Sequence, residues 1–223
     1  MMTRKPVIAM DGFSSTGKSS ISKIIAKKLG LIHMDTGALY RGVTYFALQN
    51  CLENKEINLE NLYSRLNEIQ LEFKEINENL VLFLNGTDIS KEIRSQHVSD
   101  NVSFIAKQGE VRNFLLETQR NIAKNGGVIM DGRDIGTVVL PNADFKFFLT
   151  ASVEERTRRR FLELQQLGME QDFDTVRENL VTRDKIDSTR EISPLKQADD
   201  AILIDNSDLD KEQTIDLILS HIL

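Results

Sequence analysis

Gly12-Phe13-Ser14-Ser15-Thr16-Gly17-Lys18-Ser19 matches the pattern G-x-x-x-x-G-K-[ST], and the apolar run Val7-Ile8-Ala9-Met10 precedes it with only Asp11 between. A buried strand that breaks at a glycine and passes directly into a helix is the context in which this pattern forms a phosphate-binding loop. The glycines let the backbone turn until its N–H groups converge on phosphate oxygens, the helix N-terminus adds a favourable dipole, and Lys18 supplies a point charge. Ser19 is then the expected ligand of Mg²⁺. Downstream, Ile21, Ile24, Ile25 and Leu29 recur at helical spacing and Gly30 supplies a C-cap, which predicts a helix from Lys18 to Leu29. The alternative is a glycine turn that merely resembles such a loop, and the strand and helix flanks weigh against it.

Farther out, the runs Val128 to Met130, Phe145 to Leu149 and Ala201 to Ile204 read as further buried strands alternating with helical periodicity. That alternation predicts an α/β fold whose central sheet is mainly parallel and five-stranded. The span from Ile69 to Ile89 breaks the rhythm: two strand-like runs flank Asn77 and Glu78, and Asn85-Gly86 is a hairpin-turn dipeptide. A small antiparallel insertion is expected there.

The chain has 223 residues, a net charge of -6 and a single cysteine, Cys51. This size describes one compact domain with room for an insertion. The negative balance argues against a nucleic-acid polymer as the main partner, while local basic clusters still suit small anionic ligands. One cysteine excludes an internal disulfide and a multi-cysteine zinc site, and fits a reducing cytoplasm; Cys51 itself reads as a packing residue. The apolar stretch from Val7 stops at Asp11, too short for a signal sequence or a membrane span. His33, His97 and His221 lack ligand-type spacing and are assigned to structural or surface positions.

A phosphate loop alone is compatible with a GTPase switch, a transport ATPase or a small-molecule kinase, so the other polar clusters must decide. In Met34-Asp35-Thr36-Gly37-Ala38-Leu39-Tyr40-Arg41 a short strand ends and Thr36 is placed to cap a helix bearing Arg41, which can then face an anion. Equally, Asp35 and Thr36 are simple caps and Arg41 a solvated charge. In Gly127-Val128-Ile129-Met130-Asp131-Gly132-Arg133-Asp134 an apolar strand ends in alternating charge, where ligand-contacting residues collect in open α/β sheets. Asp131 suits a cation held through water, Arg133 an anion, and Asp134 the amino group of a base; an Arg–Asp surface pair is the structural alternative. The third cluster runs from Arg183-Asp184 through Asp187 and Arg190 to Ser193-Pro194-Leu195, with Arg156, Arg158, Arg159 and Arg160 upstream. Guanidinium groups offset the repulsion between two phosphorylated partners, although a solvated helix face with Glu154 and Glu155 as partners would also account for the upstream arginines.

With these clusters in this order, the chain resembles the bacterial cytidylate kinases of the nucleoside monophosphate kinase family over essentially its whole length. The most specific stretches are Met34 to Arg41, Asp131 to Val139 and Arg183 to Leu195. The resemblance implies a P-loop kinase fold with a core (about 1–35, 104–155 and 196–223), a monophosphate-binding part with the insertion (about 36–103) and a helical lid (about 156–195). It implies a cytoplasmic, monomeric enzyme that moves the γ-phosphoryl of ATP to CMP or dCMP with Mg²⁺, without nucleic-acid or membrane partners. Gly12, Phe13, Ser14, Ser15, Thr16, Gly17, Lys18, Ser19 and Ser20, with Arg159, would contact ATP. Thr36, Arg41 and Arg133 would hold the acceptor phosphate, Ser103, Arg112 and Asp134 would read cytosine, and Arg183 with Asp187 would contact the sugar. Lys18, Arg133 and Arg190 would stabilise the transition state. Two departures stand out: Phe13, Ser14 and Ser15 replace a loop that often has proline and a smaller residue, and Thr36 replaces a common serine. A regulatory GTPase would need a guanine-reading N-K-x-D segment, which the sequence lacks. A P-loop kinase for a sugar-like acceptor and a non-enzymatic nucleotide-binding scaffold are the remaining alternatives.

Overall fold

The computed structural model describes residues 4–76 and 79–223, so the expected strand break at Asn77 and Glu78 lies outside the described residues. In chain order the elements are β1 (Val7–Gly12), α1 (Lys18–Leu29), β2 (Ile32–Asp35), α2 (Thr36–Asn50), β3 (Leu52–Glu53), β4 (Glu56–Ile57) and α3 (Leu59–Ser64). There follow β5 (Leu71–Ile76), β6 (Asn79–Leu84), β7 (Thr87–Asp88), α4 (Gln96–Ala106), α5 (Gly109–Ala123) and β8 (Val128–Gly132). The chain ends with β9 (Phe145–Thr150), α6 (Val153–Gln166), α7 (Phe173–Thr189), β10 (Ile202–Asp205) and α8 (Lys211–Ser220). These elements form two compact units, residues 1–34 with 122–223, and residues 35–121.

The first unit is built on a five-stranded sheet in the order β10-β9-β1-β8-β2. Every residue of β1 and β8 is buried, as central strands covered on both faces require, and β1 runs parallel to both β8 and β9. The register sets Met10 beside Asp131 and Asp11 beside Gly132, so the loop after β1 and the charged segment after β8 leave the same edge of the sheet. Chain order reverses across β1, and the carboxyl ends of strands at such a point are where open α/β sheets bind ligands.

Helix α1 occupies the span that its periodicity predicts. Ile21, Ile25 and Ala26 face the core, and Gly30 at φ 64° returns its N–H to the carbonyls of Ala26 and Lys27. In one core cluster Ile8, Met10, Ile129, Phe147 and Leu149 of the sheet meet Ile21 and Ile25 of α1 and Ile215 and Ile218 of α8. Helices α6 and α7 pack on each other through a separate small cluster of Leu164, Val176 and Leu180.

The second unit holds the insertion as an antiparallel sheet in the order β5-β6-β7. Asn85 (φ 49°) and Gly86 (φ 80°) make the β6–β7 turn with both residues left-handed, as the dipeptide predicts. Gly42 on α2 faces Leu71 and Leu82, and a Cβ there would lie 2.8 Å from a Leu71 methyl. Thr36 is not the cap of α2: it is the first helical residue, and Asp35 takes the cap position without a side-chain capping bond. The Asp35 carboxylate instead accepts from the Arg41 guanidinium at 2.6 Å, a charge-assisted bond that draws it away from the helix amides.

Candidate active site

The loop after β1 is shaped by residues with left-handed or otherwise glycine-like backbones: Gly12 at φ 144°, Ser15 at φ 61° and Gly17 at φ 86°. The sequence departure at Ser15 therefore places a residue with a Cβ in a conformation that glycine adopts without strain. Lys18 is buried and its Nζ donates to the Phe13 carbonyl at 2.5 Å, curled into the concavity of the loop. Thr16 Oγ1 donates to the same carbonyl at 3.1 Å, and Asn206 Nδ2 after β10 holds the Thr16 carbonyl at 2.9 Å.

At the end of β8, Asp131 is 3 % exposed and accepts the Ser19 hydroxyl at 2.6 Å on one oxygen. Its other oxygen lies 2.6 Å from His33 Nε2. His33 thus occupies a half-buried structural position, where β2 brings it beside the carboxylate that touches the phosphate loop. No spacing signal could have found it, because the two residues stand on different strands.

Arg133 connects three segments. Its Nη2 donates to Ser14 Oγ in the loop at 2.7 Å and its Nε to Asp187 on α7 at 2.9 Å. Burial works against the guanidinium charge, but Asp187, Asp184 and Asp131 more than offset it and raise the pKa, so Arg133 stays cationic. Arg190 sits 3.6 Å from Asp134 and 4.0 Å from Asp187, while its Nε donates to the Ser193 carbonyl. Arg133, Asp134, Asp187 and Arg190 therefore form one buried or half-buried network, and Arg183 is half-buried on the same helix, α7.

The upstream arginines divide. Arg158 and Arg160 pair with Glu155 and Glu163, as a solvated face would. Arg156 does not belong to such a face: it is 4 % exposed, bonded to Asp184 at 2.5 Å, and set over the Phe13 ring at 5.1 Å. Arg159 donates to the carbonyl of Asn206 and lines a cleft of about 290 Å³ with Thr16, Gly17, Asn206 and Lys211.

Asp11, which the sequence marks only as the end of an apolar run, is a further contributor. Its carboxylate accepts the amides of Ile135 and Gly136 at 2.7 Å each, fixing the start of the helical turn Ile135–Val139 that follows Asp134. Burial, acting against those two backbone bonds, pushes its pKa up to about 6. Thr36, Arg41, Ser103 and Arg112 belong to the second unit. There Arg41 bonds Asp35, Ser103 is buried on α4, and Arg112 lies over the Tyr40 ring at 5.4 Å while donating to the Ala106 carbonyl.

A solved structure of an uncharacterized protein from Eubacterium ventriosum is similar to the whole chain at a TM-score of 0.51 and 15 % identity, covering 98 % of each, and so shares the fold. Two curated relatives, each named cytidylate kinase, are far more similar in sequence. The one from Flavobacterium johnsoniae is 50 % identical over 97 % of this chain and 95 % of its own length; the one from Geobacillus sp. is 47 % identical over 95 % and 94 %. The family model described as cytidylate kinase matches residues 8–223, a span that includes the phosphate loop and all three charged clusters. The chain belongs to the cytidylate kinase family.

Proposed function

We propose that this chain transfers the γ-phosphoryl group of ATP to CMP or dCMP, releasing ADP and CDP or dCDP. The observation that carries the reading is the convergence, where β1 and β8 end together, of the phosphate loop, the Ser19–Asp131 pair and the Arg133–Asp187–Arg190–Asp134 network. The family to which the chain belongs supports it.

The backbone amides from Gly12 to Ser20 and the Lys18 ammonium hold the donor phosphates, and Arg159 serves the same nucleotide from its cleft. Ser19 offers a hydroxyl, a hard oxygen donor of the kind that Mg²⁺ takes, and Asp131, whose carboxylate lies 2.6 Å from that hydroxyl, would hold the ion through water. When bound there, Mg²⁺ neutralises charge on the transferring phosphates. An ionised phosphate oxygen of the acceptor needs no general base, so positioning and charge neutralisation by Lys18, Arg133 and Arg190 carry the rate.

Thr36, Arg41 and Arg133 are assigned to the acceptor phosphate, Arg183 and Asp187 to the sugar, and Ser103, Arg112 and Asp134 to the base. Cytosine presents an amino donor beside ring-nitrogen and carbonyl acceptors, which a carboxylate, a guanidinium and a hydroxyl complement. Uracil sets a carbonyl against the Asp134 carboxylate, a mismatch that a polar pocket rejects by about 100-fold or more. The chain is read as one kinase domain with a core, a monophosphate-binding part and a lid, working as a cytoplasmic monomer on small molecules. Its net negative charge and single cysteine support that reading. Among the described residues no helix is long and apolar enough to cross a membrane.

The test is a panel of AMP, UMP, CMP and dCMP with ATP and Mg²⁺, following ADP release. Turnover of CMP and dCMP should far exceed the others; equal rates with AMP, UMP and CMP would overturn the cytidine assignment.

A further inference from the structure

A serine hydroxyl that ligates a cation turns a lone pair toward the metal and must place its proton on another acceptor. Asp131 is that acceptor for Ser19, at 2.6 Å. The terminal torsion of an aspartate is soft, so an oxygen stays aimed at one partner only while the other oxygen is held. His33 Nε2 lies 2.6 Å from that second oxygen, and the two side chains are only 17 % and 4 % exposed. Carboxylate oxygens are acceptors, so the His33 tautomer that suits this contact is the one that donates from Nε2. His33 comes from β2 and Asp131 from the adjacent strand β8, which makes the bond a link between the sheet edge and the phosphate loop.

We propose that His33 is a positioning residue: through its bond to Asp131 it fixes the rotation of that carboxylate, aims the Ser19 hydroxyl, and so sets how much Mg²⁺ the donor nucleotide needs to bind. The proposal rests on the reading of Ser19 as the cation's ligand. Partners that orient a metal's ligands typically change metal affinity by about 10- to 100-fold when removed, and His33, one bond farther away, belongs at the lower end.

The experiment compares wild type with His33→Phe, which keeps a ring of similar size without a donor, and His33→Gln, whose side-chain amide restores one. ADP binding is titrated by calorimetry at a series of Mg²⁺ concentrations and with chelator, alongside the melting temperature and the KM for CMP. His33→Phe should raise the Mg²⁺ midpoint about tenfold, with Mg²⁺-free ADP binding, melting and the KM for CMP unchanged. His33→Gln should recover most of the wild-type midpoint, which a role confined to packing would not allow. A wild-type midpoint in His33→Phe overturns the proposal, and so does a His33→Gln variant as impaired as the Phe. A wild type whose ADP binding ignores Mg²⁺ refutes the reading of Ser19 itself, which separates the two failures.

Discussion

Replacing Gly12 with alanine should damage the protein at the point where the sheet becomes the phosphate loop. Gly12 is the last residue of β1, pairs with Leu149 of β9, and has φ 144°. A Cβ built there meets the Leu149 carbonyl oxygen at 2.0 Å, its carbonyl carbon at 2.8 Å and its nitrogen at 3.0 Å. All three are backbone atoms, so no rotamer change relieves the clash; β1 and β9 must part where they support the loop. The unfavourable backbone region costs about 1–3 kcal/mol, and a forced shift in a packed interior costs about 1–3 kcal/mol more. The sum, about 2–6 kcal/mol, is a large fraction of a typical stability of roughly 5–15 kcal/mol. It corresponds to a fall in melting temperature on the order of 10 °C for a chain of this size. Gly86→Ala is the control: its φ is 80°, but nothing lies within 4 Å of the added Cβ, so only the left-handed strain of about 1–2 kcal/mol applies. Thermal unfolding followed by circular dichroism, with and without ADP, reads both variants. A Gly12→Ala protein that melts no lower than Gly86→Ala and keeps its protection by ADP would refute the argument.

Two other outcomes are expected. Asp11 has its folded-state pKa raised from 3.8 to about 6, so the native protein keeps this proton to higher pH than the unfolded chain does. Its contribution therefore falls by roughly 3 kcal/mol as pH rises from about 4 to 6. Carboxylates such as Glu155 and Asp205, whose pKa values are lowered by hydrogen bonds to Arg158 and Ser207, move stability the other way. The Asp11 contribution should therefore be read as the difference between wild type and Asp11→Asn in urea denaturation across that range; a pH-independent difference would refute it. Lys18→Ala should retain the fold, since its ammonium donates to the Phe13 carbonyl and the Thr16 hydroxyl of the loop that it helps to shape. Turnover from ATP to CMP should fall by about 100-fold or more, and near wild-type transfer would make the phosphate-loop assignment wrong.

The elements that could be read in advance are those whose signals are local. A helix that starts after a glycine and ends at one, with apolar residues at helical spacing between them, is specified by backbone freedom and side-chain periodicity, and α1 spans Lys18–Leu29 as they predict. Asn85-Gly86 likewise carries its turn geometry in two residues. Thr36 shows where local signals compete: threonine is a good cap, but Asp35 beside it is as good, and an arginine six residues on claims the carboxylate.

The phosphate loop and the family are therefore properties of the chain's order of residues, because glycine placement, a lysine and three charged motifs can be recognised wherever they stand. Partnerships across elements are different. That Asp11 anchors the turn after Asp134, that Arg156 is buried against Asp184, and that His33 meets Asp131 depend on strand register and helix packing, which join residues 124, 28 and 98 positions apart. Such contacts form only because burying the apolar faces of β1, β8 and α1 stacks the strands in one order. The sequence determines that order through its whole hydrophobic pattern, and no single motif contains it.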